Sequence, residues 1–147
     1  MRISQLLPTK RPDVVSVHPG TTVRAAILVM RREHVGAVLV LDPDKRLLGV
    51  LSERDIVQSL DLESSDPFAR PVLEVMRREN PVASAEDTVQ SVMKIMTATR
   101  ARHVPIVEWG RVIGIVSIGD VVKSRLDEKT QENTVLQDLA RSRLIAK

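Results

Sequence analysis

One unit is written twice in this chain, and that limits its possible folds more than any other feature. At a shift of 66 residues, Thr22-Val23 falls on Thr88-Val89, Met30 on Met96 and Val38 on Val104. After a one-residue gap the shift becomes 65, and Arg46, Gly49, Ser52, Asp55 and Val57 fall on Arg111, Gly114, Ser117, Asp120 and Val122. The gap sits where Asp42-Pro43-Asp44-Lys45 faces Glu108-Trp109-Gly110. Turns tolerate such changes of length.

Both copies follow one grammar. A short extended segment comes first, Val14 to Val17 and then Pro81 to Ala83. An amphipathic helix follows, Thr22 to Arg32 and Thr88 to Thr99. Its apolar positions (Val23, Ala26, Ile27 and Met30, then Val89, Val92, Met93 and Met96) recur at i, i+3, i+4, i+7, which is one buried stripe. The threonine before each run suits an N-cap. Two apolar strands joined by a turn come next, Ala37 to Leu41 with Leu47 to Leu51, and Val104 to Val107 with Val112 to Val116. A second helix starts near Glu53 and near Ile118. Val38-Leu-Val-Leu41 is apolar on both faces, as in a sheet covered on each side.

A unit of about 45 residues buries too little surface to stand alone. The expected fold is therefore α/β (α+β): two βαββα repeats related by a pseudo-two-fold, packed sheet to sheet, with a C-terminal helical extension. The boundaries read as repeat one at 1–61, a polar, proline-bearing linker at 62–71, repeat two at 72–126 and the extension at 127–147. Val72 to Arg78 reads as a short helix entering repeat two, and Ile3 to Leu7 as its counterpart in repeat one. Lys123 to Lys147 has neither Gly nor Pro, so the last helix is predicted to run on and pack against a second subunit.

Composition removes several function classes. The 147 residues include no cysteine, which excludes disulfides, thiolate metal sites and thiol nucleophiles. The longest apolar run, Val35 to Leu41, is far short of a membrane span, and the first residues lack a secretory apolar core. A cytoplasmic protein is expected. Twenty-two Lys and Arg against 19 Asp and Glu leave +3, interspersed with acids. Phe68 and Trp109 are the only aromatics, so base-stacking platforms are missing and nucleic-acid binding is not expected. The three histidines form no metal motif, and no nucleophile stands beside a base at readable spacing. The chain is not expected to be an enzyme.

The doubled Gly-h-h-Ser-x-x-Asp-h, as Gly49-Val-Leu-Ser52-Glu-Arg-Asp55-Ile and Gly114-Ile-Val-Ser117-Ile-Gly-Asp120-Val, resembles the CBS-domain pair, or Bateman module. Val35-Gly-Ala-Val-Leu-Val and Ala101-Arg-His-Val-Pro-Ile-Val resemble it too. The resemblance covers residues 1 to 126 and implies a stand-alone regulatory module. Such modules bind adenosine-containing ligands such as AMP, ADP, ATP, NAD(H) or S-adenosylmethionine, often dimerise, and act on a partner that is here unknown.

The residue chemistry accords with a nucleotide. Each serine lies where a strand gives way to a helix, so its hydroxyl and free N–H groups could hold an anion. Each aspartate could accept from ribose hydroxyls. By the resemblance, one site uses Ser117, Asp120, Arg102 and His103, with an adenine wall of Val14, Val15, Val35, Gly36 and Ala37. The other uses Ser52, Arg54 and Asp55, with a wall of Pro81, Val82 and Ala101. The first is favoured because Arg102 and His103 add two donors for a phosphate. Ser-x-x-Asp is equally an N-capping arrangement, the two glycines can simply relieve packing, and the pair could be a dimeric scaffold with vestigial clefts.

Overall fold

The computed structural model describes residues 1–7 and 14–146. The first repeat contributes α1 (Ile3–Leu6), β1 (Ser16–Val17), α2 (Val23–Glu33), β2 (Ala37–Leu41), β3 (Leu47–Ser52) and α3 (Glu53–Ser59). The second contributes a 3-10 turn (Val72–Glu74), α4 (Val89–Thr99), β4 (His103–Glu108), β5 (Arg111–Ser117) and α5 (Ile118–Ala146).

The two amphipathic stripes fold as helices with matching ends. Thr22 and Thr88 are N-caps, their hydroxyls accepting from Ala25 N and Ser91 N at 3.1 Å. His34 and Arg100 close the helices in the left-handed region, at φ 55° and 57°. β2 pairs parallel with β1 and antiparallel with β3, while β4 pairs antiparallel with β5. The third strand of repeat two shrinks to one bridge, Ala83 to Ile106. Pro81, two residues before it, has no N–H to extend a ladder.

Alternation along β2 explains why both its faces are apolar. Val38 and Val40 enter a core with Val23, Ala26, Met30 and Leu51. Ala37, Leu39 and Leu41 point the other way, into a second core with Val50 and Val112, with Val107 and Ile115 packed against it. This second core lies between the two sheets and joins the repeats. Val89, Val92, Met96, Val104, Ile106 and Val116 form a third core belonging to repeat two.

The arms preceding each repeat cross over. Ile3 and Leu6 are buried in the core of repeat two, and Val72 and Met76 in that of repeat one. Backbone bonds fix both arms: Ile3 N to Asp87 O and Val89 N to Met1 O at one end, Val72 N to Thr21 O and Val23 N to Arg70 O at the other. This reverses the assignment expected from chain order. Residues 72–78 also form no continuous helix. Only Val72–Glu74 turns, because Arg77 is drawn out against β3 by Arg77 N to Val50 O (2.9 Å) and Val50 N to Arg77 O (3.0 Å).

The motif glycines make room for these arms. A Cβ on Gly49 would lie 2.6 Å from Met76 Sδ and 2.9 Å from the Arg77 carbonyl. One on Gly114 would lie 2.7 Å from a Leu7 methyl. The linker folds back too, with Arg24 pairing with Asp66 at 2.9 Å and lying over the Phe68 ring. Helix α5 buries Val121 and Ser124 near its start, while Val122, Leu126, Leu136 and Leu139 are exposed.

Candidate functional site

The doubled motif folds first as two capping boxes. Ser52 Oγ accepts from Asp55 N at 3.1 Å, and Ser52 N donates to Asp55 Oδ2 at 3.1 Å. Ser117 and Asp120 repeat this at 3.2 and 2.8 Å, and Ser117 Oγ also donates to Asp120 Oδ2 at 2.9 Å. These boxes hold each acid against its own strand end. The strand opposite supplies a further lock: Glu53 N donates to Gly36 O (3.0 Å) and Ile118 N to Arg102 O (2.8 Å). In each helix, then, two of the N–H groups expected to meet an anion are already engaged. Side-chain cations must carry that role.

Such cations gather at one cleft of about 300 Å³, at the lower end of the volumes that hold small molecules. Repeat one lines it with Gly36, Val50, Ser52, Glu53, Arg54 and Asp55. Repeat two adds Ala101, Arg102, His103 and Ile118, with Arg100 from the end of α4 and Arg77 and Asn80 from the crossing arm. Four guanidiniums face two carboxylates, so the cleft carries a positive balance. Arg77 Nη2 lies 3.1 Å from Asp55 Oδ1.

The structure therefore gathers Ser52, Arg54, Asp55, Gly36, Ala101, Arg102 and His103. It splits the set that the sequence placed around Ser117. His103 remains the strand neighbour of Ser117, yet its Nε2 lies 4.0 Å from where a Gly36 Cβ would stand, and it lines the cleft on the Ser52 side. The starts of β2 and β4 meet across the pseudo-two-fold, which brings about this arrangement. Ser117 is not among the residues lining this cleft, and Asp120 lines a separate depression with Met1, Gln5 and Leu6. Val14 lines a third, with Ser16, His18 and Lys45. Val15 and Val35 pack on the first core, and Ala37 is buried between the sheets. Pro81 and Val82 follow Asn80 without lining the cleft, Val82 being exposed.

Sequence reasoning missed Arg77, Asn80 and Arg100. Arg100 was legible as the first base of Arg100-Ala-Arg102-His103. Arg77 and Asn80 were not, because the arm's crossing is a long-range event. Among the described residues no cluster of His, Asp and Glu suits a metal. Among the described residues, too, no helix is long and apolar enough to cross a membrane.

The CBS domain family model matches residues 3–62 and 72–127, that is, both repeats. The chain belongs to the CBS domain family. A CBS-domain containing protein from Agrobacterium tumefaciens is 37% identical, with a TM-score of 0.79, over 85% of this chain and 99% of its own. The CBS domain-containing protein YhcV of Bacillus subtilis is 31% identical over 132 residues, 87% of this chain and 90% of its own length. A CBS domain protein from Pyrobaculum aerophilum, solved in complex with AMP, is 28% identical, with a TM-score of 0.72, over 82% of this chain and 89% of its own. The tandem CBS pair thus accounts for the pseudo-two-fold and the sheet-to-sheet core.

Proposed function

We propose that this chain is a regulatory module that binds an adenosine nucleotide of the AMP class and passes its occupancy to a partner protein. The observation that carries this reading is the cleft itself, where Ser52 and Asp55 of one repeat meet Arg102 and His103 of the other. Asp55 would take the ribose hydroxyls, with Arg54, Arg102 and His103 on the phosphate and Gly36 and Ala101 against the base. The AMP complex of the Pyrobaculum relative supports this chemistry. The corner of Ser117 and Asp120 is a second, less favoured position for the same ligand class. No catalytic step is assigned to the module.

The functional unit is the pair of repeats at 1–61 and 72–126, with 62–71 as linker and 127–147 as extension. Val57 and Val122 are pseudo-symmetric mates and both are exposed, which favours a homodimer through α3 and α5. A cytoplasmic location and partners other than nucleic acid or membrane complete the reading. Binding changes the module's shape only through unequal affinity for its two forms.

Titration calorimetry with AMP tests the site. Asp55→Asn and Arg102→Ala should each weaken binding by about 10- to 100-fold, the range for hydrogen bonds to charged groups. Unchanged binding in both variants removes the mechanism. The capping boxes favour a second reading, in which the motif only holds helices and the chain is a dimeric scaffold. Melting curves with AMP, ATP, NADH and S-adenosylmethionine separate the two: a ligand-dependent rise supports sensing, and flat curves support the scaffold.

A further inference from the structure

We infer that Arg77, which lies outside the doubled motif, sets the charge class of the ligand by neutralising Asp55. This rests on the nucleotide reading above and adds to it the residue that selects phosphorylated over neutral nucleosides.

Asp55 is the least exposed ionised group in this cleft for which an ion pair is seen, its side chain being 11% accessible. Its Oδ2 is occupied by Ser52 N, and its Oδ1 faces Arg77. Arg77 does not reach it by chance sampling of a long surface side chain. Two backbone bonds to Val50 clamp its main chain onto β3, and Gly49 leaves the space for that approach. The guanidinium is thus delivered by the backbone to the acid expected to hold the ribose.

A bare carboxylate at that position would repel a phosphate in the same small cleft and attract neutral or cationic ligands. Paired with Arg77, Asp55 presents little net charge. Only two of its roughly four lone-pair sites are filled, so it still accepts from hydroxyls. The guanidiniums of Arg54, Arg100 and Arg102, with only Glu53 against them, then dominate what the ligand meets. Adenosine, which has no anionic group, gains nothing from them.

Calorimetry of the full chain with AMP and with adenosine tests this, using wild type, Arg77→Gln, Arg77→Lys, and Asp55→Asn combined with Arg77→Gln. Wild type should prefer AMP by at least about tenfold. Arg77→Gln should weaken AMP by about 10- to 100-fold and leave adenosine within about threefold. Arg77→Lys should keep most of the preference, and adding Asp55→Asn to Arg77→Gln should cost AMP at least about threefold less than Asp55→Asn costs the wild type, because loss of the ribose contact is then offset by removal of the unpaired charge. Equal loss for both ligands in Arg77→Gln, or an unchanged preference, overturns the inference while leaving nucleotide binding intact. Wild type that binds neither ligand overturns the nucleotide reading and this inference with it.

Discussion

At the end of β3, Ser52 and Asp55 close a cap that faces the arm bearing Arg77 and Asn80, in a cleft with four arginines and two carboxylates. At the end of β5, Ser117 and Asp120 close the same cap, but Asp120 faces the arm bearing Met1 and Gln5, beside Lys123, Asp127 and Glu128. The backbone arrangement is shared, and both acids donate their geometry to a helix start. The charge around them is opposite in sign: on the second side three carboxylates face Lys123 and the terminal amine of Met1, which lies 3.9 Å from Glu128. The comparison separates two jobs that the motif alone conflates. Ser-x-x-Asp sets up a helix start in both repeats, whereas the residues brought by the other repeat and its arm decide whether an anion is welcome.

The largest effect expected concerns the arms. Ile3 is fully buried in repeat two, so Ile3→Ala should cost about 2–5 kcal/mol. Hydrogen exchange should show α4 and β4 losing protection before α2. Loss confined to α2 would break the crossed arrangement. At the corners, Arg102→Ala should weaken AMP by about 10- to 100-fold, while Lys123→Ala on the acidic side should change it by less than about twofold. Equal effects in calorimetry would erase the distinction between the two.

The glycines offer a finer contrast. Gly49→Ala drives a Cβ against a backbone carbonyl and should cost about 1–3 kcal/mol in urea unfolding. Gly114→Ala meets only the end of the Leu7 side chain, which can rotate, so its cost should be smaller. The smallest effect is at the caps. Ser52→Ala should cost about 1 kcal/mol. Ser117→Ala should cost somewhat more, since Ser117 Oγ also donates to Asp120. The reverse order would mean that the extra bond carries no weight.

Local physics made much of this readable in advance. The i, i+3, i+4, i+7 stripes located α2 and α4, and their threonines fall on the N-caps. The doubly apolar run at Ala37–Leu41 is a strand with both faces covered. The helix starts at Glu53 and Ile118 follow from the serines that cap or precede them. What stayed hidden depends on partners distant in sequence. Nothing local to Val72–Arg78 says that it packs on the preceding repeat, or that Arg77 is stretched along β3. Of the cleft, Ser52, Asp55, Arg54 and Ala101 were grouped in advance, but Arg102 and His103 joined them only where the two strand starts met.

The exchanged arms have a consequence for how such a chain could arise. A single unit expressed by itself would present a core with its plug missing and a plug with no core to enter. Two such molecules could satisfy each other only by trading segments, as in a domain-swapped dimer. Joining them end to end turns that trade between molecules into one within a molecule, and it frees each half to mutate independently while its neighbour still keeps it folded.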